Sequence, residues 1–230
     1  MENIYHLFYK FISYNLFAFI TIKLFDKIII YFDKRGRWFQ LHFIVNMCIS
    51  CLTIEDVVDC LMNPQASNEL SRYYGGATLA FMLHVYHTLY FSLNSIDVYH
   101  HVLSCFICTP MCLSYPCKGL SIYLFFATGL PGGIDYLLLS FVKNNKMSRM
   151  TEKNINSYLN TYIRIPGGVI GSYLTFKDGL QQENLTRAIG NYLLAYIIFL
   201  NCTFFGKLSI ENYIEHKYIH DKSIKNFSKN

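Results

Sequence analysis

The chain has 230 residues, of which 53% are hydrophobic, 17% aromatic and only 15% charged. An ordinary soluble domain carries about 25% charge; a soluble core of this size has no room for so much apolar surface, so the exterior must face lipid. The net charge of +5 is not a nucleic-acid footprint, because the cations lie in short clusters between apolar runs, the arrangement that encodes membrane topology.

No Pro-, Ser- or Gly-rich linker divides the chain, so it reads as one all-α unit, a polytopic transmembrane helix bundle of six to seven spans. A span needs about 20 mainly apolar residues to cross roughly 30 Å of hydrocarbon. The first candidate runs from about Phe11 to Tyr31 and is imperfect, with Lys23, Asp26 and Lys27 in its second half. If it lies on the surface instead, six spans remain; residues 1–33 are therefore read as a transmembrane or interfacial helix. Lys10 and the lack of a small-residue cleavage site argue against a signal peptide.

The second span runs from about Trp38 to Cys60, behind the basic stretch Lys34-Arg35-Gly36-Arg37, with Trp38 as an interfacial anchor. Asn63-Pro64 ends it. The third runs from Gly75-Gly76 to about Leu93, and the fourth from about Val98 to Leu113, bent or stopped by Pro110. The fifth, about Leu120 to Val142, is expected to break at Gly129-Leu130-Pro131-Gly132-Gly133. The sixth, about Ile155 to Phe176, is expected to be interrupted by Pro166-Gly167-Gly168. The seventh runs from about Ile189 to Phe205 and is followed by a polar, basic tail, 207–230.

The cations divide unevenly. Arg72, Lys118, Lys177, Arg187 and Lys10 fall on the N-terminal side. The other side receives Lys34, Arg35 and Arg37, then Lys143, Lys146, Arg149 and Lys153, then Lys207, Lys217, Lys222, Lys225 and Lys229. Positive-inside places that second side, with the C-terminus, in the cytosol. The sequon Asn184-Leu185-Thr186 falls on the lumenal side, in agreement.

The cysteines sit mostly in apolar runs, as small packing thiols do. The pairs Cys48-x-x-Cys51 and Cys105-x-x-Cys108 raise zinc, but structural sites separate such pairs by about 15–20 residues, and these lie much further apart. No metal and no other cofactor is expected.

Ionisable residues at membrane depth are costly and mark function. The clearest group is Asp97-Val98-Tyr99-His100-His101, in which Asp97 and His101 share a helix face and His100 points about 100° away, so that the two rings could flank one cavity. A carboxylate there orients an imidazole. The third span adds His84 and His87, the second His42 and Asn46, the fifth Asp135 and the sixth Arg164, a counter-ion for Asp135 or a headgroup contact. The plain alternative for each is hydrogen bonding between helices. Glu55, Asp56 and Asp59 read as a solvated helix end. A di-iron centre needs about eight histidines in fixed boxes, and only His84-x-x-His87 and His100-His101 are offered.

Arg37-Trp38 followed by His42, Asn46 and Ser50 resembles the opening helix of the TLC-domain superfamily, which includes translocating-chain-associated membrane proteins and ceramide synthases. Asp97-Val98-Tyr99-His100-His101-Val102-Leu103-Ser104 resembles its central double-histidine helix, and Gly129 to Lys143, with Asp135, its acidic helix. The resemblance covers residues 34–206. It implies a helix bundle around a lipid-accessible cavity, in the endoplasmic reticulum or another endomembrane. In ceramide synthases an acyl group passes from acyl-CoA to a sphingoid amine. Carried over, His100 or His101 becomes the base or acyl acceptor and Asp135 the supporting carboxylate, with Asp97, His42, Asn46, His84, His87 and Arg164 around them.

The chain departs from that pattern: Gly132 stands where an aspartate would align, and no histidine precedes it. It is therefore closer to the less characterised relatives linked to lipid composition, transport or sensing. Three readings follow. The first is a protein that binds or moves membrane lipids. The second is an acyl-CoA-dependent N-acyltransferase built on His100-His101. The third is a non-catalytic membrane partner or chaperone.

Overall fold

Among residues 4–32, 34–71, 75–108, 110 and 117–227, which the computed structural model describes, the chain is helical with no β-strand. One isolated antiparallel bridge joins Leu70 to Cys117. The helices are α1 (Ile4–Phe32), α2 (Arg37–Met62), α3 (Gly75–Tyr90), α4 (Ser95–Val102), α5 (Lys118–Lys143), α6 (149–180) and α7 (Leu185–Phe227). Among the described residues, three helices are long and apolar enough to cross a membrane: Arg37–Met62, Lys118–Lys143 and Leu185–Ile219. Cys112, Leu113, Arg72 and Lys229 lie outside the described residues.

The fifth and sixth segments are not broken at their prolines. Each helix instead loosens just before the proline into a π-helical turn, Leu124–Gly129 ahead of Pro131 and Asn160–Arg164 ahead of Pro166. A third such turn, Leu103–Cys108, continues α4 just ahead of Pro110. A proline has no N–H to give and its ring collides with the carbonyl four residues back. Bonding from i to i+5 lets the helix go on past that carbonyl. The seventh helix likewise does not stop at Phe205: it runs unbroken through the boundary expected between bundle and tail.

The second helix is the hub, packing against α1, α3 and α5, while α6 lies along α7. Ile22 and Ile29 of α1, Leu41, Val45 and Ile49 of α2 and Leu83 and Tyr86 of α3 form one apolar core. Small residues set the closest approaches. A Cβ added at Gly168 would collide with Cys202, and one at Gly167 with the ring of Phe126, so α6 can meet α7 and α5 only without side chains there. Large apolar residues cover the outside, among them Phe17, Val58, Phe106, Tyr173 and Tyr196. In water such patches would drive aggregation; in hydrocarbon they meet their own kind.

Asp26, which weakens the first segment as a span, is buried, while Lys23 and Lys27 are exposed. Its carboxylate takes a two-pronged bond from Arg37, Nε to Oδ1 at 2.6 Å and Nη2 to Oδ2 at 2.5 Å, and a third from the Tyr86 hydroxyl. One carboxylate thus ties α1 to the start of α2 and to α3. At the expected solvated end of α2, Glu55 is exposed but Asp56 and Asp59 are not free in solvent. Asp56 is 1% exposed and accepts hydroxyl bonds from Ser121 and Ser71. Asp59 pairs with Lys118, which also reaches Glu69. The cause is Lys118 itself, folded inward at the start of α5 and 8% exposed.

Removing one partner of a buried ion pair leaves the other stranded, at a cost of up to about 3–5 kcal/mol. Arg37 keeps 29% exposure, so Asp26→Ala is expected to cost less, about 2 kcal/mol. Detergent-solubilised protein melted while following the emission of Trp38, the only tryptophan, should show a lower midpoint, and an unchanged midpoint refutes the role.

Candidate functional site

Seven of the nine singled-out residues converge. His42 and Asn46 from α2, His84 from α3, Asp97 and His100 from α4, Asp135 from α5 and Arg164 from α6 all line one cavity of about 190 Å³. The remaining wall includes Tyr136, whose ring stacks on His42 with centroids 4.1 Å apart, and Asn201 and Phe205 of α7. Gly132 makes the space: a Cβ there would sit 3.1 Å from Asn46 Nδ2 and 3.5 Å from Arg164 Nη2.

The two histidines of the pair part company. His101 lines a separate apolar recess with Val85, Thr88 and Leu89, and both its ring nitrogens are engaged. Thr88 spends its hydroxyl proton on the His84 carbonyl, 2.9 Å away. Its oxygen therefore accepts from His101 Nδ1–H at 3.0 Å. The neutral ring then leaves Nε2 as an acceptor, which His87 Nδ1–H fills at 3.2 Å. His87 is held in turn by Trp38, stacked at 3.6 Å between centroids. Both therefore belong to the frame of the site, not to its lining.

His100 is different. The Ala80 carbonyl only accepts, so His84 carries its proton on Nδ1 and offers Nε2 as an acceptor to His100 Nε2–H at 2.9 Å. The second nitrogen of His100 has no hydrogen-bond partner among the described residues. The ring also stands against Phe205.

Asp97 does not turn toward His101. Its carboxylate accepts the backbone N–H of Asn94, whose side chain accepts that of Asp97, a reciprocal box that starts α4. Helix capping wins because both groups are adjacent and need no rearrangement. Arg164 is not ion-paired with Asp135 among the described residues. Its Nη1 donates to Asn160 Oδ1 at 3.0 Å.

Among the described residues, four buried polar atoms are left without a partner in this one place: His42 Nε2, Asn46 Oδ1, Asp135 Oδ1 and Arg164 Nε. Two of them need a donor, one needs an acceptor, and the imidazole nitrogen takes either. Across His100, Asn201 and Phe205, which wall both spaces, lies a larger apolar groove of about 810 Å³, lined by residues such as Leu103, Leu193, Ile197 and Phe204, with Lys207 along its wall. No group of three or more His, Cys, Asp or Glu side chains among the described residues is placed to hold a metal ion.

Sequence reasoning missed Tyr136, Asn201 and Phe205 because nothing in their local pattern separates them from packing residues. It also missed a signal that was present: Glu152, Asn156, Asn160 and Arg164 recur every four residues.

No protein-family model, curated protein or solved structure matches this chain.

The two histidines should differ in chemistry. Diethyl pyrocarbonate attacks an unengaged imidazole nitrogen, so peptide mapping after brief treatment should find His100 modified well before His101. The reverse order would break the hydrogen-bond chain assigned above.

Proposed function

We propose that this is a multi-pass membrane protein of six to seven spans that binds a membrane lipid and serves its transport or homeostasis, akin to the less characterised TLC-domain relatives. The observation that carries the reading is the junction at His100, Asn201 and Phe205, where a small polar cavity with unsatisfied donors and acceptors meets a long apolar groove. An amphiphile answers both halves at once. Each buried polar group left without a partner costs about 1–3 kcal/mol, so four of them disfavour a vacant cavity by several kcal/mol, which a polar head recovers. The groove volume lies in the roughly 300–1,000 Å³ range of ligand pockets. The loop 144–148 and the end of α7 are read as cytosolic from the clustered lysines and arginines, and an endomembrane such as the endoplasmic reticulum follows from the resemblance alone.

The second reading, N-acyl transfer from acyl-CoA, is favoured by one observation: His100, with one ring nitrogen free of hydrogen bonds among the described residues, lines the same cavity as Asp135. An imidazole there can take the proton of an attacking amine or accept the acyl group itself.

Purification into nanodiscs followed by extraction and mass spectrometry should find lipid retained beyond the bulk composition. Arg164→Gln and Asp135→Asn each remove a charged contact to the head, worth about 1.5–3 kcal/mol, and so should lower retention about tenfold or more. Retention equal to that of the bulk in the wild type defeats the binding reading. An N-acylated product in cells that disappears with His100→Ala, in protein that still folds, would establish the second reading instead.

A further inference from the structure

We infer that one face of α6 is a polar path, hydrated at its two ends, that joins the polar cavity to the end of the molecule carrying the α5–α6 loop, 144–148. Glu152, Asn156, Asn160 and Arg164 stand four residues apart, over about 18 Å of helix at 1.5 Å per residue. That is more than half of a hydrocarbon layer of about 30 Å. Spacing by four drifts around an α-helix, but the π turn Asn160–Arg164 advances less per residue and brings Arg164 back beneath Asn160.

The three residues of the lower part are deeply buried: Glu152 is 0% exposed, Asn156 8% and Asn160 1%. Asn160 Nδ2 donates to Asn156 Oδ1 at 2.8 Å, and Arg164 Nη1 to Asn160 Oδ1 at 3.0 Å. The row is thus connected in its middle and open at both ends. At the loop end, neither Glu152 oxygen has a hydrogen bond among the described residues, its one ion-pair contact there being Lys153 Nζ at 3.3 Å. At the cavity end, Arg164 Nε and Asp135 Oδ1 are unpartnered.

Buried polar groups in folded proteins are satisfied by protein or by ordered water, and a buried water holds its place with about 2–4 polar partners. The cavity itself, at about 190 Å³, has the bulk volume of roughly six waters. Polar glue between helices would need one or two such residues, paired across the interface. A row along a single helix, orphaned at each end, is arranged for solvent. The inference uses the cavity described above but does not depend on what lipid fills the groove.

Radiolytic hydroxyl-radical labelling of the full chain in nanodiscs tests it, because radicals formed from a bound water oxidise the side chain beside it. Tyr136, on the cavity wall, should be oxidised far faster than Tyr86, which is buried in the dry core of α1, α2 and α3. Asn156→Leu with Asn160→Leu should bring Tyr136 down to the level of Tyr86 while exposed Tyr158 is unchanged. Asn160→Ser, which keeps a polar group and spares the packing, should retain the labelling. Tyr136 as unreactive as Tyr86 in the wild type overturns the path, and so does labelling that survives the double substitution. Retained lipid measured on the same samples keeps the two readings apart: labelled Tyr136 without lipid leaves the path standing and removes the lipid.

Discussion

Inside an apolar solvent a polar group has no water to fall back on, and this constraint governs how the buried polar groups of the described helices are paired. Most of the costly groups are answered within the protein. Asp26 is held by Arg37 and Tyr86, Asp56 by two serines, and Lys118 by Asp59 and Glu69. Asp26, Ser121 with Asp56, and Lys118 with Asp59 each join different helices, while Ser71 and Glu69 tie in the loop ahead of α3, so the polar residues act as the fasteners of a bundle whose apolar surface faces outward. Against that background the unanswered atoms stand out. His42, Asn46, Asp135 and Arg164 come from three helices and converge on one space. A fold that satisfies Asp26 so completely has the means to satisfy Asp135, and its failure to do so is a property of the site.

The prolines explain how that site is built. Pro131 and Pro166 each follow a π turn, and each turn delivers part of the cavity wall: Ala127 and Thr128 from one, Arg164 from the other. A regular helix would have carried these positions around its axis. Gly132 then keeps the space beside Asn46 and Arg164 open. Local irregularity at π turns often accompanies function, and here the geometric reason is visible: the turn re-aims a side chain without ending the helix.

Much of this was legible in the sequence. The bounds of α2 follow from its basic start and its Asn63-Pro64 stop. The polar residues His42, Asn46, His84, His100, Asp135 and Arg164 declare themselves because a polar group among apolar neighbours is costly, although hydrogen bonding between helices explains such a residue as readily as function does. What was hidden depends on partners distant in the chain. Asp26 reads as a flaw in a span until Arg37 and Tyr86 are seen around it. Asp56 reads as solvated until Ser121, 65 residues on, meets it. Asp97 was assigned to His101 by helical spacing, but the same carboxylate reaches its own helix N-terminus first. The continuity of α5 and α6 was hidden because a Pro-Gly-Gly signal describes a break equally well, and only packing on both sides selects the π turn.

The division between His100 and His101 bears most directly on chemistry. A general base or acyl acceptor needs a free nitrogen facing the reacting atoms. His101 has none, since His87 and Thr88 take both of its ring positions. Its ring therefore orients and braces its neighbours. Of the pair, only His100 keeps a nitrogen without a hydrogen bond among the described residues, on a ring that lines both the polar cavity and the apolar groove, and its other nitrogen is tied through His84 to the Ala80 carbonyl. That relay fixes the ring and its tautomer, which serves binding and catalysis alike. What distinguishes them is charge. Asp135 and Arg164 face one cavity without pairing, so a head that both donates and accepts can bridge them. It is on this unpaired arrangement that the proposed binding of an amphiphile by its head rests.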